Sequence, residues 1–255
     1  MLQACLNGNR TKHEHAAVPY TPFELAADAA LVVRAGAHEL HLHPRADDGT
    51  ESLRSVEVAA TLRAVRAQVP GVLVGISTHA GIPSPTPLAA LLATWTELPD
   101  YVSINLGEAA APDLWHAAAC RGIAVEAGLS SVADAQRLLQ VVPPATCCRL
   151  LVEIAEQTLE EALHTAHAIL RTMRAFQPQV PRLLHGTDAT MWPLFQVALE
   201  QHLSVRIGLE DGLQLPSGAL ATGNEQLLQQ AAAQLSAQRR EAPLRPVVQP
   251  FNQGH

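Results

Sequence analysis

Two short segments of this chain carry residue types that can do metal chemistry. In His41-Leu42-His43 two imidazoles share one face of a strand, about 7 Å apart at the backbone. In Val205-Arg206-Ile207-Gly208-Leu209-Glu210-Asp211 an arginine and two carboxylates end an apolar strand. If the two strand ends meet, His41, His43 and Glu210 form a two-histidine, one-carboxylate site with open positions for substrate. Arg206 and Asp211 then stand beside it. The same donor set suits zinc, iron, manganese or nickel. His-x-His alone is a weak signal, since a second pair, His13-Glu14-His15, lies in a polar stretch that reads as a solvated loop. The first pair differs in context, because the opposite strand face, Leu40 and Leu42, is apolar. Glu210 could also simply pair with Arg206, since a buried carboxylate without a partner is costly.

Other polar residues end strands in the same way. Ser77-Thr78-His79-Ala80-Gly81 offers a hydroxyl and backbone donors for an oxyanion or a phosphate. Asn7-Gly8-Asn9, Asn105 and His185-Gly186-Thr187-Asp188 end further strands, and Glu126 alternates with Ile123 and Val125. Each also fits ordinary turn chemistry. Asn7, Thr78, Asn105 and Glu126 are taken as substrate contacts. Arg10, Lys12 and Arg45 could bind a carboxylate or phosphate at the mouth, or lie in solvated loops.

The elements that must position these residues alternate regularly. Apolar strand-like runs cover 2–6, 38–43, 72–77, 101–105, 123–128, 149–154, 182–186 and 205–210. Helix-start signals lie between them, including the capping boxes Thr21-Pro22-Phe23-Glu24 and Thr158-Leu159-Glu160-Glu161. Such strand-and-helix units in about 240 residues fit a (β/α)8 TIM barrel, an α/β fold in a single domain over 1–242. A proline-containing tail over 243–255 is expected to be irregular. The competing doubly wound sheet lacks its GxGxxG fingerprint. Strand parity puts apolar residues outward and Glu39, His41, His43, Glu126, Arg149, Glu153, Arg206 and Glu210 inward, as a barrel mouth requires.

Composition excludes several classes. The 255 residues are 48% hydrophobic and 16% charged, a folding composition. A net charge of −7 without a basic run argues against nucleic acid or an anionic membrane as partner. No run is long enough to span a bilayer, and the strand-like start at Leu2 shows no leader pattern. Cys5, Cys120, Cys147 and Cys148 have neither CxxC nor zinc-finger spacing and read as reduced thiols of a cytoplasmic protein. Lys12 is the only lysine and lies in a loop, so imine chemistry lacks its amine. GxSxG and Walker A motifs are absent.

Over nearly its whole length the chain resembles the β-keto acid cleavage enzymes, the family of the 3-keto-5-aminohexanoate cleavage enzyme. The resemblance rests on Ala4-Cys5-Leu6-Asn7-Gly8, Pro19-Tyr20-Thr21-Pro22-Phe23-Glu24, His41-Leu42-His43-Pro44-Arg45, Gly75-Ile76-Ser77-Thr78, Leu184-His185-Gly186 and Arg206-Ile207-Gly208-Leu209-Glu210-Asp211. It implies a TIM barrel holding zinc through His41, His43 and Glu210. It also implies condensation of a β-keto acid with acetyl-CoA, giving acetoacetate and a new acyl-CoA. Arg206 and Asp211 match the dyad that assists proton abstraction. Ser77 matches the hydroxyl that assists CoA transfer, and Asn105 falls near the polar residue of strand four. By analogy a homo-oligomer is expected. The chain departs from the family pattern at His79-Ala80, where a glycine pair is common, and at Asn9-Arg10, where an acidic residue is common. Without the resemblance, the same residues admit a metal-dependent lyase or hydrolase that does not use CoA, or a keto-acid-binding barrel.

Overall fold

In this computed structural model residues 1–141, 147–174, 176 and 179–241 are described. Strands and helices alternate in chain order: β1 (Leu2–Cys5), α1 (Pro22–Arg34), β2 (Glu39–Leu42), α2 (Ser55–Gln68), β3 (Leu73–Ser77), α3 (Leu88–Thr94), β4 (Tyr101–Asn105) and α4 (Ala111–Cys120). They continue with β5 (Ala124–Leu129), α5 (Val132–Val141), β6 (Cys147–Ile154), α6 (Leu159–Thr172), β7 (Arg182–Gly186), α7 (Met191–Glu200), β8 (Ser204–Ile207) and α8 (Asn224–Glu241). Each strand pairs in parallel with the next, and β8 pairs with β1, so the sheet closes into a single-domain (β/α)8 barrel. The expected tail at 243–255 lies outside the described residues. No helix among the described residues is long and apolar enough to cross a membrane.

Alternation decides which side chains face the helices. Leu40 and Leu42 on β2, Val74 and Ile76 on β3, and Val102 and Ile104 on β4 are fully buried in the layer between strands and helices. Each such side chain contributes about 1.5–3 kcal/mol relative to exposure. Helix α1 starts as its sequence predicts: the Thr21 hydroxyl accepts from Glu24 N, and the Glu24 carboxylate accepts from Thr21 N. At α6 the expected capping box does not form. The Thr158 hydroxyl donates to the Glu161 carboxylate instead of capping a backbone N–H.

The inward face is polar to its floor. Arg149 pairs with Glu126 at 2.5 Å and Glu39 at 2.7 Å, and its guanidinium lies 5.1 Å from the Tyr101 ring centre. Gln3 Nε2 donates to Tyr101 Oη at 2.8 Å and to Glu126 at 3.1 Å. Buried charges are costly unless paired, and the charges of this plug are paired beneath the mouth, while Gln3 Oε1, Glu39 Oε2 and one Arg149 Nη lack a hydrogen-bond partner among the described residues.

Candidate active site

At the C-terminal ends of the strands the barrel opens into a cavity of about 300 Å³ lined by His41, His43, Ser77, Arg206, Glu210 and Asp211 among others. The two histidines come from the end of β2 and the first residue beyond it. The carboxylates come from the turn after β8, on a neighbouring wall through β1. His41 Nε2 and His43 Nε2 are 3.3 Å apart. Glu210 Oε1 lies 3.6 Å from the first and 3.4 Å from the second. A tetrahedral shell with bonds of about 2.0–2.1 Å has edges of about 3.3–3.4 Å, so this spacing fits a zinc-like ion.

Hydrogen bonds on the far sides of the rings decide which nitrogens are free to bind an ion. Ser103 Oγ donates to Glu126 Oε1 at 2.6 Å, so it accepts from His41 Nδ1 at 3.2 Å. Glu126 is ionised: burial works against its charge, but Arg149 outweighs it and holds the carboxyl at about 2. His43 Nδ1 donates to Glu51 Oε1. Gly81 N donates to His79 Nδ1 at 3.1 Å, so His79 Nε2 is the donor to the same Glu51 oxygen, at 3.1 Å. With His41 and His43 neutral, both Nε2 atoms present lone pairs toward Glu210 Oε1. Arg206 Nη donates to that oxygen from one side, but no donor lies between the oxygen and the two imidazole nitrogens, and three acceptors facing one another in this way is a pattern a cation resolves. Glu210 Oε2 is also buried without a hydrogen-bond partner among the described residues.

Without a cation the cluster holds a proton instead. Burial opposes charge on His43, but the Glu210 and Glu51 carboxylates outweigh it and lift the imidazole to about 9. Burial carries His41 the other way, to about 3, with Arg206 adding to the effect against the pull of Glu210. Glu210 stays well below the usual carboxylate range: burial works against its charge, and Arg206 and the two histidines outweigh burial.

The segment carrying Glu210 was expected as strand through residue 210, but β8 ends at Ile207. The Gly208 carbonyl accepts from both Asp211 N and Gly212 N, at 3.0 and 3.1 Å, which closes a turn. That turn lets consecutive residues Glu210 and Asp211 both face the cavity, which strand alternation would forbid. Gly208 permits it, because a Cβ there would overlap the Cys5 carbonyl of β1. Gly8 has φ +53°, and a Cβ on it would collide with the Glu210 side chain. Arg206 grips Asp211 with Nε at 3.0 Å and an Nη at 2.8 Å, and the same Nη reaches Glu210 at 2.5 Å. Cys5 Sγ donates to Asp211 at 3.0 Å, and His185 Nδ1 lies 3.3 Å away. Burial disfavours charge on Asp211, yet Arg206 and then His185 hold its carboxyl far below normal.

The remaining expected residues divide. Ser77 and Asn105 line the cavity. Asn7, Thr78 and Glu126 do not line it. Asn7 is fully buried, with its amide hydrogen-bonded to both His43 N and His43 O. The Thr78 hydroxyl donates to Ser103 O at 2.7 Å. Glu126 belongs to the floor plug described above. Arg45 is no anion site, since its guanidinium donates to the carbonyls of Gly8, Arg10 and Gly49 and stacks 4.2 Å from Tyr20. Arg10 pairs with Glu14 and Asp188, and Lys12 with Glu24. His15, expected in a solvated loop, is buried and bonds Ala221 O at 2.8 Å. Sequence reasoning turned Glu153 inward by its parity on β6 but gave it no role, and it missed Glu51, Ser103 and Glu108; of these Ser103 carried a signal, its parity with Asn105 on β4.

Comparison with known proteins follows the same lines. A family model described as beta-keto acid cleavage enzyme matches residues 1–175 and 155–244. The 3-oxoadipate:acetyl-CoA acetyltransferase of Cupriavidus necator is 27% identical over 241 residues, covering 87% of this chain and 83% of that protein. The 3-keto-5-aminohexanoate cleavage enzyme of Fusobacterium nucleatum subsp. nucleatum is 38% identical over 72 residues, covering 28% of this chain and 26% of that protein. Among solved structures, the binary complex of ObcA with oxaloacetate is similar with a TM-score of 0.68 at 17% identity, covering 88% of this chain. This chain spans 64% of that one. A type I 3-dehydroquinate dehydratase from Clostridium difficile is similar with a TM-score of 0.62 at 11% identity, covering 92% of each chain. At these identities the two structures speak to the fold alone. The family match covers both the His41–His43 strand end and the Arg206–Asp211 turn, and the chain belongs to the beta-keto acid cleavage enzyme family.

Proposed function

We propose that this chain is a zinc-dependent β-keto acid cleavage enzyme that converts a β-keto acid and acetyl-CoA into acetoacetate and a new acyl-CoA. The convergence of His41 Nε2, His43 Nε2 and Glu210 Oε1 within 3.3–3.6 Å carries the reading. These three residues would hold the ion. Bound there, it supplies Lewis acidity that polarises the keto oxygen and acidifies the carbon between ketone and carboxylate.

This chain's own groups then divide the work. Asp211, oriented by the two-point grip of Arg206, takes the proton from that carbon. A carboxylate held so strongly ionised is a weak base, so it can act only on an acidified carbon. The carbon bonds to the thioester carbonyl of acetyl-CoA as the thiolate leaves. The thiolate then adds to the substrate's own keto carbon, and the bond between that carbon and the deprotonated one breaks. Acetoacetate departs after regaining its proton from Asp211, and the remaining acyl group stays on CoA. Ser77, at the end of β3, supplies a hydroxyl to the oxyanions of these additions. Asn105 serves as a polar contact for substrate. Asn7 holds the His43 backbone from behind.

Free thiols at Cys5, Cys120, Cys147 and Cys148 fit a reducing compartment, and a cytoplasmic location belongs to the same reading. A homo-oligomeric state is carried by analogy with barrels of this kind. The test is acyl-CoA formation from a panel of β-keto acids by metal-loaded protein, together with metal analysis. Zinc at one equivalent, and activity lost about 100-fold or more in His41→Ala and Glu210→Gln, are expected. A folded, metal-loaded protein that forms no acyl-CoA with any acid of the panel ends the proposal.

A further inference from the structure

One imidazole at the cavity wall takes no part in the chemistry above. His79 lies two residues past Ser77, in the segment after β3, and lines the cavity beside His43. The two ring centres are 5.5 Å apart. Both rings converge on a single oxygen: Glu51 Oε1 accepts from His43 Nδ1 and, at 3.1 Å, from His79 Nε2. Among the described residues no lysine or arginine pairs with Glu51, so the two imidazoles are the groups that hold its charge.

Backbone contacts fix His79 in this role. Gly81 N donates to its Nδ1 at 3.1 Å, which leaves the ring hydrogen on Nε2, aimed at Glu51. Ile82 N donates to His79 O at 3.2 Å and closes the turn that carries the ring. Glu51 stands on a short hairpin after β2, where Ala46 N donates to Thr50 O at 2.8 Å and Ser52 N to Pro44 O at 2.9 Å. That hairpin fixes the Glu51 backbone but leaves its side-chain torsions free. One hydrogen bond to His43 sets a distance without setting the plane of the carboxylate. The second bond, from His79, supplies that constraint and ties the loop after β3 to the loop after β2.

We infer that His79 is a positioning residue for the metal centre: it holds the Glu51 carboxylate in the orientation that keeps His43 Nε2 turned toward Glu210. This rests on the reading of His41, His43 and Glu210 as an ion site. His79 touches neither ion nor substrate in this role and acts only through Glu51.

Chelator competition for zinc and the visible absorption of cobalt-loaded protein read the effect without turnover. His79→Ala is expected to weaken zinc binding about fivefold or more and to shift the cobalt bands, with wild-type far-UV circular dichroism. In His79→Gln the side-chain amide can still donate to Glu51, and affinity within about twofold of wild type is expected. Glu51→Ala removes the group through which His79 acts. Adding His79→Ala to it is expected to cost less than about a further twofold, so the two losses are not additive. Wild-type affinity in His79→Ala overturns the inference. So does a loss from His79→Ala that is equal with and without Glu51, or one that His79→Gln does not restore. If Glu51→Ala does not fold, the two single variants at His79 decide. Zinc bound at one equivalent but indifferent to residue 79 keeps the ion site and removes the positioning role. A folded wild-type protein that takes up neither zinc nor cobalt removes the ion site itself.

Discussion

Glu210 reaches two imidazoles and one guanidinium because residue 8 has no side chain. Gly8 combines φ +53° with a Cβ position already filled by Glu210. Gly8→Ala therefore costs backbone strain of about 1 kcal/mol and moves the carboxylate away from the histidines. Zinc affinity is expected to fall about tenfold or more, with the far-UV circular dichroism of the wild type. Wild-type affinity in a chelator competition would show that Glu210 is not a ligand. Glu51 acts on the opposite side of His43, where it accepts from Nδ1 and is braced by His79. Glu51→Gln weakens the acceptor that fixes the ring's tautomer, and about 10–100-fold loss of zinc affinity is expected in the same competition.

Helix α8 joins the two strand ends that meet at the site. Its first residue, Asn224, donates to Leu6 O at 2.7 Å just past β1 and accepts from Leu209 N at 2.7 Å, one residue before Glu210. The same amide donates to Asp28 on α1 at 2.6 Å. Burial raises the Asp28 carboxyl to about 7, with the Asn224 hydrogen bond working against the rise. An unfolded aspartate titrates near ~3.9. Between those values the folded chain keeps a proton that the unfolded chain has lost, so this group's contribution to stability falls as pH rises from about 4 to about 7. Asp28→Asn keeps an acceptor for Asn224 and removes the titration. Relative to wild type, the variant is expected to gain about 1–3 kcal/mol between pH 5 and pH 8 in urea unfolding. A difference that does not change with pH would show that Asp28 titrates normally.

For the whole molecule, a ligand that binds only the folded state stabilises by mass action. At a free zinc concentration about 100 times its Kd the gain is about 2.7 kcal/mol, or roughly 5–10 °C in Tm for a chain of this size. Apo protein is expected to melt lower by that interval and to recover on addition of zinc. In Glu210→Gln the zinc-dependent shift should nearly vanish. A wild-type protein indifferent to zinc, with the variant behaving alike, would mean that the three donors bind no metal.

The sequence by itself determined the eight strands, the barrel they close, and the joint presence of His41, His43, Arg206, Glu210 and Asp211 at strand ends. Alternating apolar residues and helix caps are local signals, and local signals survive in a one-dimensional string. Family motifs pointed to Ser77 in the same way. Tertiary structure alone decided that Thr78 bonds the Ser103 carbonyl and that Glu126 lies in the floor plug below the cavity, because both pair with groups on other strands. It decided that Arg45 braces loops, since its acceptors are backbone carbonyls whose positions no residue type announces. It placed Glu51 behind His43 and set Glu108 and Glu153 across from His41, His43 and Glu210. Which carboxylates share a wall depends on barrel closure, and closure brings together residues separated by most of the chain.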